Sequence, residues 1–97
     1  MKILGMDYTV RLMDGKASET RNFGTCDNTE CTIEITRGLS RQQKEATLIH
    51  EVIEAVNSML DLGFSESTVR ALERGIHGAL TDCGVDLRPL LREVPEP

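Results

Sequence analysis

Apolar residues in the first third of the chain recur at every second position. Over residues 8–13, Tyr8, Val10 and Leu12 alternate with Thr9 and Arg11, the repeat of a strand with one buried face. Asp14-Gly15 marks a turn, and residues 16–21 are polar and read as a loop. Residues 22–26 and 31–36 are then expected to pair as a hairpin around Asp27-Asn28-Thr29-Glu30, with Ile33 and Ile35 toward the core.

The period next lengthens to that of a helix. Ser40 with Gln43 three positions later is a capping-box signal, and Leu39 before it suits a hydrophobic staple. Ile49, Val52, Ile53, Val56 and Leu60 share one stripe, and Gly63 stands where a helix-terminating glycine is expected. Ser65 is a good N-cap for a second helix with Glu66 in its first turn. Val69, Leu72, Ile76 and Leu80 form its stripe, and Gly84 ends it. Gly75 and Gly78 weaken that helix, which suggests that something approaches it closely there. Residues 86–97 contain three prolines and read as a tail with one short turn near Leu90. The prediction is an α+β fold: a small antiparallel sheet of three to four strands followed by an antiparallel two-helix hairpin. It forms a single domain over 1–85, with 86–97 as a C-terminal tail.

Composition narrows the function classes. The chain has 97 residues and a formal charge of −5, with no basic stripe, which argues against a nucleic-acid backbone as partner. No apolar run has membrane-spanning length, and the opening MKILGMDYTV is too short and polar for a signal peptide. Cys26, Cys31 and Cys83 are odd in number, which fits a reducing cytoplasm. Cys26 and Cys31 have four residues between them across the hairpin, but two thiols alone do not make a metal site. The acids are unevenly spread: residues 45–69 hold Glu45, Glu51, Glu54, Asp61 and Glu66 with no Lys or Arg. Such a segment attracts cations or a basic partner surface.

Within that segment lies HEVIE, residues 50–54. In a helix His50 and Glu54 project from one face about 6 Å apart at Cβ, a spacing from which two side chains can hold one metal ion. Glu51 points about 100° round the helix and can reach a water there as a general base. The order is that of a zinc peptidase motif, with Glu54 where a second histidine would stand. With a turn centred between Leu62 and Ser65, an antiparallel hairpin would set Glu73 opposite Glu54 and His77 opposite His50. Glu73 borders the second apolar stripe, and a carboxylate partly buried there calls for a cation or for hydrogen-bond donors. Pairing with Arg70 or Arg74 at the surface is the alternative.

The stretch TLIHEVIEAVNSMLDLGFSESTVRALERGIHGALTDCG, with FGTCDNTECTIEITRGLSRQQKEATLIHE before and into it, resembles minimal zincin-like domains of the ImmA/IrrE-like and gluzincin-like type common in phages. The resemblance spans residues 5–84 and is sharpest where HEVIEAVN is joined to ALERGI. It implies a zincin-like core in which His50 and Glu54 are metal ligands and Glu51 is the catalytic base. A glutamate of the second helix supplies the third ligand, Glu73 by position or Glu66 as the fallback, and His77 is a further ligand or supporting residue. Zn²⁺ is the implied cofactor, although two glutamates also suit another divalent ion such as Mn²⁺. The implied activity is hydrolysis of a peptide or protein, in a host cytoplasm if phage-encoded. A different expectation is a non-catalytic acidic inhibitor of a host defence enzyme, of the anti-CRISPR kind. It would bind a basic groove through Glu45, Asp61 and Glu66.

Overall fold

The strand signals form two small sheets. The computed structural model describes residues 1–14 and 23–96; the loop expected over 16–21, and Asn22 with it, lie outside the described residues. β1 (Lys2–Ile3) and β2 (Met6–Asp7) make an antiparallel ribbon that the alternation had not suggested. Its turn places Leu4 and Gly5 at φ 49° and 83°, the two positive values that a tight hairpin turn needs.

β3 (Thr9–Met13), β4 (Gly24–Asp27) and β5 (Thr32–Thr36) form a three-stranded sheet in the order β3-β5-β4. The expected hairpin is present, with Cys26 opposite Ile33. Asp27 Oδ1 accepts from the Thr29 and Glu30 amides at 2.9 and 3.1 Å, which shapes the turn. One feature differs from the expected antiparallel sheet: β3 runs parallel to β5, with Thr9 opposite Thr32 and Met13 opposite Thr36. Ile33 and Ile35 are fully buried, so their strand takes the central place. The hairpin then turns β4 to one edge, and β3 can meet β5 only from the other side, where the two directions agree.

α1 (Arg41–Met59) begins with the predicted capping box. Gln43 N donates to Ser40 Oγ at 3.2 Å, and Ser40 N donates to Gln43 Oε1 at 2.9 Å. The helix ends before Gly63. Asp61, at φ 51°, takes the left-handed position, and the Asp61 and Leu62 amides close the turn on Ser58 O and Asn57 O. The Asn57 side chain then bonds both backbone groups of Phe64, fixing the entry to the next helix. α2 (Glu66–Asp82) starts at Ser65, whose Oγ accepts from Thr68 N, and stops at Gly84 (φ 77°) as expected.

α1 lies over β4 and β5, and α2 packs on α1. The core joins Ile3, Tyr8, Val10, Ile33, Ile35, Leu48, Ala55 and Val94. Both helices are rotated from the expected stripes. On α1 the buried residues are Glu45, Thr47, Leu48, Glu51 and Ala55, while Leu60 is exposed. On α2 only Val69 is fully buried, and Leu72 and Ile76 are 37% and 42% exposed. Glu73 and His77 face α1 instead. A Cβ at Gly75 or Gly78 would meet nothing within 4 Å, so the close approach expected there does not exist. The proline-containing stretch is tied to the body. Residues Arg88–Glu93 form a 3₁₀ helix against α1, Val94 enters the core, and the Met1 ammonium pairs with Glu93 at 2.9 Å.

Candidate metal centre

Gly24 sets how closely α1 can approach the sheet. A Cβ on it would stand 2.7 Å from Thr47 Cγ2, 3.0 Å from Glu34 O and 3.2 Å from Glu51 Oε2. Only a glycine on β4 lets this helix settle with Thr47 and Glu51 against the strand. The HEVIE turn is thereby fixed with Glu51 buried toward β4 and with His50 and Glu54 turned toward α2.

The hairpin brings the titratable side chains of α1 and α2 together along a polar seam. His50 Nε2 lies 3.1 Å from Glu66 Oε1 and 3.8 Å from Glu54 Oε1. His50 Nδ1 faces Glu73 Oε1 at 3.6 Å. Further along, His77 Nε2 is 3.4 Å from Glu45 Oε1, which also stands 3.8 Å from Arg41 Nε. The pairing is shifted about one helical turn from the expected register: Glu73 meets His50 rather than Glu54, and His77 meets Glu45 rather than His50. α1 ends at Met59, and Asp61 and Gly63 both take left-handed values (φ 51° and 72°), so the connection to α2 begins before the glycine.

His50, Glu54 and Glu66 each offer a ligand atom within 4.8 Å of the others. Glu73 addresses the opposite ring nitrogen, so the third position on the Nε2 side belongs to Glu66 in this geometry. Glu54 Oε1 is buried and has no hydrogen-bond partner among the described residues. A buried carboxylate oxygen without a donor costs on the order of 1–3 kcal/mol or more unless a cation or proton meets it.

Electrostatics agree with that strain. Burial, followed by the charges of Glu54 and Glu66, pushes the Glu51 carboxyl up to about 8. Glu54 is also raised, first by burial and then by the Glu66 carboxylate beside it, while His50 pulls it down. Burial and the neighbouring carboxylates therefore both favour the protonated forms of Glu51 and Glu54. The thiol of Cys26 is pushed up to about 11 by burial and then by Glu51 and Glu54, so it stays neutral at pH 7. All three cysteines are free.

His50, Glu51, Glu66 and Glu73 line a cleft of about 340 Å³, and Glu54 lies outside that lining. Phe23 and Gly24, Thr47 of α1, and Arg70 and Arg74 of α2 complete it. No family model, curated protein or solved structure matches the chain. No helix among the described residues is long and apolar enough to cross a membrane.

Sequence reasoning named His50, Glu51, Glu54, Glu66 and Glu73, and all five gather within this region. It missed Phe23, Gly24 and Thr47, and named Arg70 and Arg74 only as surface partners of Glu73, which meets His50 instead. The signal for Gly24 was its place inside an otherwise regular strand, which often marks a close backbone approach. Of the residues expected on an acidic contact surface, Asp61 and Glu66 are exposed, whereas Glu45 is buried and paired, so it cannot face a partner.

Proposed function

We propose that the chain is a small metal-dependent hydrolase of the peptidase type, with a divalent cation held by His50 Nε2, Glu54 and Glu66. The observation carrying this reading is the unpartnered, buried Glu54 Oε1 at the point where His50 Nε2 and a Glu66 oxygen converge. Ligand atoms about 2.0–2.1 Å from a tetrahedral Zn²⁺ stand roughly 3.3 Å apart. The 3.1 and 3.8 Å separations from His50 bracket that distance, so little movement is needed to accept an ion. Two carboxylates and one imidazole suit Zn²⁺, and the oxygen-rich set also suits Mn²⁺.

A bound ion would supply Lewis acidity toward a scissile carbonyl. The chain's own groups divide the remaining work. Glu73 opposite Nδ1 favours one orientation of the His50 ring, keeping Nε2 turned to the site. Glu51 lines the cleft, where a carboxylate can take a proton from an attacking water and deliver it to the departing amine. That role needs the ionised form, and cation charge at the cluster offsets the two carboxylates that raise Glu51. Among the described residues β4 is an edge strand whose first residue lines the cleft, and an extended peptide is the ligand a strand edge accepts. Two glutamates neutralise more of the ion's charge than one would, which favours slow turnover.

The acidic-inhibitor reading has less support, because Glu45 and Glu51 are buried and Glu54 is partly so. Elemental analysis and calorimetric titration with Zn²⁺ and Mn²⁺ test the proposal. One ion per chain is expected, with loss in His50→Ala, Glu54→Gln and Glu66→Gln. Glu51→Gln should keep the ion and lose peptide hydrolysis. A wild-type chain that takes up neither ion at pH 7.5 refutes it.

A further inference from the structure

The chain carries 16 acidic and 11 basic residues, yet two arginines stand one helical turn apart on the wall of the cleft. Arg70 has one weak tie, its Nε 3.9 Å from Glu66 Oε1, and its side chain is 66% exposed. Arg74 has no ion pair or hydrogen bond among the described residues and is exposed. Among the described residues, neither guanidinium is held by a close partner. Glu66, the partner of Arg70 among these residues, is also a proposed metal ligand, and turning it to a cation would loosen Arg70 further.

We infer that Arg70 and Arg74 select a peptide bearing a carboxylate close to the bond placed at His50 and Glu51. This rests on the peptidase-type reading above and names its substrate class. A guanidinium meets a carboxylate through two parallel N–H donors, the geometry in which such pairs are strongest. A dianionic phosphate fits less well, because Glu51, Glu66 and Glu73 share the same cleft and would repel it. A single carboxylate matches two arginines that border three acids. Its source is either an acidic side chain or the terminal carboxylate of the peptide.

Fluorescence anisotropy with labelled five-residue peptides tests this without relying on turnover. The base variant Glu51→Gln serves as host, loaded with Zn²⁺ and, in parallel, metal-free. The probes are acetyl-AAEAA-amide, its glutamine counterpart, and acetyl-AAAAA with either a free or an amidated terminus. A carboxylate-bearing probe should bind about tenfold more tightly than its neutral partner, and added salt should shrink the difference. Preference for the glutamate probe assigns the side chain as the source, and preference for the free terminus assigns the chain end. Combining Arg70→Gln with Arg74→Gln should abolish the preference while leaving metal content unchanged; both residues are exposed, so folding should persist. Equal binding of acidic and neutral probes, absence of binding to all four, or a preference that survives the double substitution overturns the assignment. A failure of the metal reading appears separately, as a chain without metal.

Discussion

Glu51 makes the metal-free protein sensitive to pH in an unusual direction. Its folded value of about 8 lies well above the ordinary 4.5. Between those limits the unfolded chain releases the proton while the folded chain keeps it. The folded state therefore binds more protons, and stability falls as pH rises, by up to about 1.4 kcal/mol per unit. Integrated from pH 5 to 7.5, the loss attributable to Glu51 is about 3 kcal/mol, a large part of a typical domain's 5–15 kcal/mol. The figure is an upper bound, since part of the shift comes from Glu54 and Glu66 and protonating either relieves it. Glu51→Gln keeps the shape and removes the titration. Urea unfolding followed by circular dichroism, with EDTA present, should show the variant gaining on the wild type by up to about 3 kcal/mol over that range. Glu54 acts in the same sense, so a smaller slope should remain in the variant. Parallel pH dependences for the two proteins, or a wild type that gains stability from pH 5 to 7.5, would refute the buried, proton-holding Glu51.

Other substitutions probe the rest of the frame. Gly24→Ala should lower stability by about 1–3 kcal/mol in urea unfolding and weaken metal uptake, because α1 must back away from β4. Gly75→Ala and Gly78→Ala meet open space and should each raise stability by about 0.5–1 kcal/mol, visible as a higher Tm. His77→Ala leaves the buried Glu45 with only a distant Arg41 and should cost on the order of 1–3 kcal/mol, and Glu45→Gln in that background should recover part of it. Metal titration at pH 6 should release protons measurable in buffers of different ionisation enthalpy, as Glu51 is driven to ionise.

Local signals in the chain were legible where a short stretch decides its own geometry. The Ser40–Gln43 box, the Ser65 cap, the Gly84 stop and the Asp27–Glu30 hairpin turn all stand as their residues suggest. What could not be read depends on partners distant in sequence. Nothing local in Thr9–Met13 says that it will lie parallel to Thr32–Thr36, because that follows from which strand occupies the centre. Likewise the connection between the helices uses two left-handed residues, Asp61 and Gly63, and nothing local in the sequence marks Asp61 as the first of them.

The second helix shows how far the site departs from what packing alone would choose. Leu72 and Ile76 are 37% and 42% exposed, so turning α2 until they met α1 would add roughly 1 kcal/mol for each. The observed seam instead places His77 against Glu45, His50 against Glu73 and the Glu66 carboxylate beside Glu54. Half-buried charge pairs seldom repay their desolvation, so this interface is weaker than its apolar alternative. Val69 is the one fully buried side chain on α2, and α1 is its main support. Hydrophobic burial thus fixes the sheet and α1, while α2 meets α1 largely through polar side chains. A cation accepted by His50, Glu54 and Glu66 would bridge the two helices and offset the carboxylate charge that adds to burial in raising Glu51 and Glu54. The same ion that supplies the proposed chemistry would therefore also hold the hairpin closed, coupling occupancy of the site to the stability of the element that completes it.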